Sequence, residues 1–348
     1  MTLLKWGREM TEKPIIATEL LKGQGLGNQL FCYITTRCLA YEKGWDFSIL
    51  NKSLFDCLYF LNLDCGIEAK KSDFDTVYHE REDRIHIGNS KHDIEHGCYI
   101  TGADPHFLKL HKQTLLYGNM QDEVYFGKYR KEIKQWLCVN PLYDCKEYSR
   151  ENLCIINIRG GEYTGSPELF LRRKYWLDAI NVMKKKREDM EFMVVTDDIA
   201  AANRILPEVK AYHFDLAGDY TVIKNAYYLI LSNSTFAFFP TYTSDTIRYI
   251  IAPKYWARHN VSDGYWASEQ NIYSDFHYMD RKGRLYTAKE CKEELEAYKK
   301  TSSHYKKIGQ KLEKTALIRA RIKSKWLIYS DLFVRALRSV KRRCGMEG

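Results

Sequence analysis

The chain has 348 residues, enough for two separate cores, with ordinary hydrophobic (45%) and charged (28%) fractions. Its net charge of +9 sits at one end: residues 301–348 hold 13 Lys/Arg against 3 Asp/Glu, leaving residues 1–300 at −1, a body that argues against nucleic acid as a partner. No apolar run approaches the roughly 18 residues of a membrane span, and the charged start, Met1 to Pro14, does not read as a signal peptide.

In chain order, Pro14–Leu21 predicts a strand that runs into the glycine-rich turn Lys22-Gly23-Gln24-Gly25-Leu26-Gly27-Asn28-Gln29. Leu30, Ile34, Cys38 and Tyr41 then recur at helical spacing, with Gly44 as the C-cap. Phe47–Leu50 reads as the next strand. Residues 51–150 are polar and aromatic with weak periodicity, and they complete a first domain over 1–150. A second α/β series occupies 151–300. It has strands at Asn152–Ile158, Phe192–Thr196 and Tyr227–Leu231, and helices at Lys174–Lys184, Ala200–Leu206 and Tyr220–Ala226. Strands alternating with helices predict a parallel sheet and an α/β fold class.

In the tail, 301–348, Ile318, Ile322, Trp326, Tyr329, Phe333, Leu337 and Val340 fall three or four residues apart among Lys and Arg. This predicts a basic amphipathic helix over 315–348, suited to an anionic membrane surface; the alternative is a helix docking its apolar side on the body. The ten cysteines form no Cys-x-x-Cys pair, and Cys32, Cys38 and Cys154 lie in apolar patterns. They read as reduced core residues, which speaks against zinc and for a cytoplasmic location. The 26 tyrosines fit either carbohydrate handling or simple core packing.

Three segments stand at predicted strand ends, where open α/β sheets bind ligands. In Gly25-x-Gly27-Asn28-Gln29, glycines let backbone amides approach an anion at a helix N-terminus; such turns are also often structural. In Asn157-Ile158-Arg159-Gly160-Gly161-Glu162-Tyr163, an Arg directly after a buried strand suits a diphosphate, or is a surface Arg in a turn. In Ser232-Asn233-Ser234-Thr235-Phe236, hydroxyls and amides make an anion-binding nest or serve as helix N-caps.

In this order and spacing the three segments resemble the bacterial α-1,2-fucosyltransferases, over roughly residues 15–280. Leu116–Lys128, Val194–Asp198 and the region from Asp219 to Trp256 add linking matches. The resemblance implies a GT-B-like fold, two Rossmann-like domains facing a cleft. It also implies GDP-fucose as donor, a glycan hydroxyl as acceptor, inversion at the anomeric carbon, and neither metal nor cofactor. On that basis Arg159 holds the donor pyrophosphate, with Asn157 beside it. Gly25, Gly27 and Asn28 face the donor from the first domain, Ser234 and Thr235 take the β-phosphate, Asp197 lies at the nucleoside, and Glu162 is the motif carboxylate available as general base.

The chain departs from the family's His-x-Arg-Arg-Gly-Asp-Tyr: Asn157 replaces His, Gly160 the second Arg, and Glu162 the Asp. Phe238-Phe239 is followed by Pro240 rather than glycine. These departures leave open another GDP- or UDP-linked sugar, or a non-catalytic nucleotide- or glycan-binding relative. Asp73-Phe74-Asp75 matches the Asp-x-Asp of metal-dependent transferases, but without a strand before it; His92 and His96 share a helix face without a carboxylate pattern beside them. A Gly-x-Ser-x-Gly hydrolase elbow is absent.

Overall fold

The structure, a computed structural model, describes residues 13–82, 84–85, 98–99, 102–166, 169–256, 259–260, 269–301 and seven helical positions between 315 and 333. His92 and His96 lie outside the described residues. The fold is mixed α/β, built on two sheets with parallel strands.

The first sheet has four strands: β1 (Ile15–Glu19), β2 (Asp46–Leu50), β3 (Val77–His79) and β6 (Thr114–Tyr117), in the order β2-β1-β6-β3. Every pairing in it is parallel. A short antiparallel pair, β4 (Arg84–Ile85) and β5 (Cys98–Tyr99), stands apart.

The second sheet has seven: β7 (Leu153–Ile158), β8 (Glu191–Thr196), β9 (Ala211–Tyr212), β10 (Tyr228–Leu231), β11 (Tyr249–Pro253), β12 (His277–Met279) and β13 (Leu285–Thr287). Their order is β13-β12-β11-β10-β7-β8-β9, parallel except for β12 with β13. All six residues of β7 are buried, as a central parallel strand covered on both faces requires. Parallel strands need crossover helices, and Arg173–Lys186 and Ile199–Ile205 supply them on either side of β8. Asp198 and Asp215 cap the helices that follow them by accepting from Ala201 and Gly218 N–H.

The first helix, α1 (Leu26–Lys43), ends at Gly44 in the left-handed region (φ 66°), whose N–H closes on Ala40 and Tyr41 carbonyls. Leu30, Ile34 and Cys38 are buried as their spacing predicts, whereas Tyr41 is 56% exposed. Cys32, Cys38 and Cys154 are free and buried.

One helix ties the two sheets together. Phe31 on α1 stacks at 4.8 Å from Phe238 and meets Phe239 at 4.8 Å and Tyr273 at 6.1 Å, all fully buried. Removing a ring at such a position costs about 3–5 kcal/mol. The Phe-Phe pair that follows Ser-Asn-Ser-Thr-Phe is therefore core. Tyr33, Tyr125, Tyr220, Tyr273 and Tyr278 are likewise among the largest fully buried side chains, so packing explains a good part of the tyrosine content.

Candidate functional site

The carboxyl ends of β1, β7, β8 and β10 open into one cavity of about 460 Å³, within the range of small-molecule sites. The nine residues that the resemblance assigns to the donor site line it: Gly25, Gly27 and Asn28 from the first half, and Asn157, Arg159, Glu162, Asp197, Ser234 and Thr235 from the second. Neither Asp73 nor Asp75 does. Asp73 instead accepts the Lys70 N–H at 2.7 Å in a tight exposed turn, and no group of three metal-ligating side chains occurs among the described residues.

Arg159 leaves β7 at its carboxyl end and is clamped by acids. Its guanidinium meets Asp197 Oδ2 at 2.9 Å and Glu162 Oε1 at 3.3 Å, and lies 5.8 Å from the Tyr163 ring centre. Asp197 also accepts the Gly160 N–H at 2.7 Å. The two glycines make this close packing possible. A Cβ on Gly160 would stand 2.4 Å from Asp198 Cβ, and Gly161 has φ +45° with Asp197 Oδ2 2.9 Å from a built Cβ. An arginine at 160 therefore has no room unless the Asp198 side chain shifts. Asn157 is buried, and its Nδ2 donates to the Val195 carbonyl at 3.3 Å.

The opposite wall is the start of α1. Gly25 is its N-cap, with no side-chain cap and no acidic residue in the first turn. The first intrahelical bond runs from Gln29 N–H to the Gly25 carbonyl, so the preceding amides remain available at the positive end of an 18-residue helix. Gly27 is glycine for a further reason. Its Cβ would stand 2.4–2.6 Å from the Thr235 carbonyl and the Phe236 nitrogen. The two walls touch there, backbone to backbone, and close the floor of the cavity. Ser234 behaves as an N-cap, its Oγ accepting the Phe236 N–H at 3.3 Å while still facing the cavity. Just before it, Ser232 Oγ and both polar side-chain atoms of Asn233 are buried without a protein partner. Such unsatisfied groups are uncommon in folded proteins.

The sequence reading missed a second cluster, at the β9 end. His213 and Asp219 line the cavity beside Leu216. Asp219 accepts the Phe214 N–H at 2.9 Å and pairs with His213 Nδ1 at 2.9 Å. Burial is the main force on its carboxyl, whose pKa is pushed up to about 6. The signal was present as Asp215-x-x-x-Asp219, one acid capping a helix and the next one turn inside it.

Among the described residues the cavity is acidic by charge, since Asp56, Glu162, Asp197 and Asp219 line it with one guanidinium and His213. Among the described residues the groups suited to an anion are Arg159, the α1 amides and the Ser234–Thr235 turn.

No protein-family model matches the chain. Over 158 residues, 40% of this chain, it is 25% identical to an alpha-1,2-colitosyltransferase of Escherichia coli, and the match spans 54% of that relative, about half its length. Among solved structures it is similar to POFUT1 in complex with GDP-fucose, with a TM-score of 0.40 and 10% identity over 71% of this chain and 99% of that one. It is also similar to POFUT1 in complex with GDP, with a TM-score of 0.33 and 10% identity over 67% and 96%. Likenesses at this level carry no argument about activity.

Proposed function

We propose that the chain is an inverting, metal-independent glycosyltransferase of GT-B type that moves fucose from GDP-fucose to a glycan hydroxyl, forming an α-1,2 linkage. One observation carries this reading: eight residues chosen from three separated motifs, with Asp197 from the linking segment 194–198, meet in a single cavity, with Arg159 facing the uncapped start of α1.

The donor diphosphate lies between Arg159, the Ser234–Thr235 turn and the amides around Gly25, Gly27 and Asn28. Asp197, expected at the nucleoside, instead pairs with Arg159 and the Gly160 N–H, and in this reading it positions the guanidinium. Asp219, buried beside Leu216, suits the nucleobase, because a carboxylate can accept the two adjacent N–H groups on a guanine edge. In the reaction the acceptor oxygen attacks the anomeric carbon from the face opposite the phosphate. The carbon–oxygen bond to the diphosphate breaks, and its electron pair leaves with the β-phosphate, where Arg159 and the fixed amides stabilise it. The acceptor proton goes to a base. Glu162 takes that role in this reading, since a diphosphate on Arg159 frees the carboxylate that now leans on it. The curated relative's name supports a transferase and favours, as a second reading, a different sugar on a GDP- or UDP-linked donor.

The test incubates purified protein with GDP-fucose and other GDP- and UDP-sugars, with and without EDTA, and reads the free nucleoside diphosphate. GDP from GDP-fucose in EDTA is the expected result. Release from another donor alone selects the second reading, and release from none leaves a non-catalytic binder. Loss on chelation, restored by Mn²⁺ or Mg²⁺, overturns metal independence.

An anionic membrane surface is the partner proposed for the tail, placing the enzyme at the cytoplasmic face, where a lipid-linked acceptor would be met. Ile318, Ile322, Trp326, Tyr329 and Phe333 are helical and 57–68% exposed, in a segment with +10 charge. Among the described residues no helix is long and apolar enough to cross a membrane. Deleting 315–348 should release the protein from acidic vesicles and leave turnover of a water-soluble acceptor intact; equal sedimentation of both forms contradicts the proposal.

A further inference from the structure

Asn28 stands at the cavity in the first turn of α1, and its side chain is not left to find its own orientation. Its Oδ1 accepts from Gln121 Nε2 at 3.0 Å, and Gln121 Oε1 in turn accepts from Asn271 Nδ2 at 3.4 Å. The three amides form a chain with one direction, each NH₂ donating toward the cavity. It ends on Asn28 Nδ2, which has no acceptor within the protein among the described residues and belongs to a residue that lines the cavity.

The support behind this chain is rigid. Met120, next to Gln121, sits in the left-handed region at φ 52°, a strained conformation for such a side chain. It is held there on both sides: its N–H donates to Glu80 Oε2 at 2.8 Å, and its carbonyl accepts from Thr35 Oγ1 at 3.0 Å. Glu80 is buried and also accepts from Tyr125 Oη at 2.8 Å and Gln270 Nε2 at 3.0 Å. Neighbouring residues 270 and 271 therefore brace the backbone and the side chain of the same short segment.

We infer that Gln121 is a positioning residue, which fixes the Asn28 amide so that its NH₂ faces the donor diphosphate. This rests on the nucleotide-sugar reading above. A diphosphate presents only acceptor oxygens to a neutral side chain, so an Asn that turned its Oδ1 outward would oppose the ligand. A free asparagine exchanges the two orientations at little cost, and Gln121 removes that choice. Gln121→Glu reverses the polarity almost isosterically. A carboxylate at 121 can only accept, so it draws Asn28 Nδ2 inward and leaves Oδ1 on the cavity.

The test is calorimetric titration of GDP and UDP into the full chain, with thermal unfolding beside it, for the parent, Gln121→Glu, Gln121→Met, Asn28→Ala and the doubles. Gln121→Met is the neutral control for the added charge, and it decides alone if Gln121→Glu fails to fold. Each single variant should weaken the nucleotide that the parent binds by roughly tenfold to a hundredfold, the range for a hydrogen bond to a charged group. The Gln121→Met unfolding midpoint should stay at the parental value, and the doubles should bind no worse than Asn28→Ala alone. Parental affinity in the Gln121 variants, or losses that add in the doubles, would overturn the inference while the nucleotide reading stands. A parent that binds neither nucleotide brings down that reading and the inference with it.

Discussion

The two walls of the cavity are built on different principles. The wall from the second sheet is charged and already engaged: Arg159 with Asp197 and Glu162, Asp219 with His213. Apart from Asp56, the wall from the first sheet is backbone and neutral amide: the glycine turn, the start of α1, and Asn28 held through Gln121. In the proposed reading the first kind of wall exchanges partners when a diphosphate arrives, Glu162 giving way to phosphate oxygens. The second is set before arrival, and its backbone donors gain by being fixed, because preorganised dipoles need no reorganisation at the moment of reaction. Gly27 is the hinge of the contrast, since it brings the neutral wall into contact with the Ser234–Thr235 turn of the charged one.

The most damaging change to the charged wall is Arg159→Ala. It removes the only guanidinium lining the cavity among the described residues and leaves Asp197 and Glu162 unopposed, so turnover should fall at least about a hundredfold. Nucleotide release by the purified, folded variant measures it, and parental turnover would show that the walls do not divide the chemistry in this way.

The neutral wall breaks through geometry. Gly27→Ala should force the Thr235 backbone away, costing about 1–3 kcal/mol of stability and most of the activity. Gly25→Ala should be nearly silent in stability, because its φ is −66° and nothing lies within 4 Å of a built Cβ. Denaturant unfolding of the pair separates the two glycines, and equal effects would contradict the contact.

A smaller and pH-dependent effect is expected at Asp219. Its carboxyl has a pKa of about 6 in the folded chain against an ordinary 3.8, so ionisation works against folding. Its contribution to stability is fully present below about pH 4 and is lost as pH rises through about 6. Asp219→Asn should therefore raise the unfolding midpoint at pH 8 and not at pH 4, while weakening GDP at both neutral and higher pH. Thermal scans across that window check the first part. A variant less stable than the parent at pH 8 would mean that the bonds to Phe214 N–H and His213 outweigh the burial cost.

Much of this was legible wherever local pattern and final position coincide. The strand–glycine–helix start, the Gly44 cap, the buried run at 153–158 and the strands at 191–196 and 228–231 stand where their apolar patterns put them. Residues 51–150 resisted because long-range bonds fix much of that region. Examples are Tyr33 Oη to the Asp64 carbonyl and Asp104 Oδ2 taking both Tyr78 Oη and Arg81 N–H. The helix predicted over Tyr220–Ala226 begins earlier, at Leu216, capped by Asp215, and that first turn carries Asp219 into the cavity. The structural reason for Gly27 lies 208 positions away at Thr235, and that for Gln121 lies at Asn28 and Asn271. No window of sequence contains either pair.

The central claim, that these walls together hold a nucleoside diphosphate, is tested most directly by an experimental structure of the full chain with GDP bound. The account predicts the diphosphate within hydrogen-bonding distance of Arg159, the Thr235 region and Asn28 Nδ2, with Glu162 released from Arg159 and the base against Asp219. GDP bound elsewhere, or seated in the cavity with Arg159 still closed on both acids and Asn28 turned away, would contradict it.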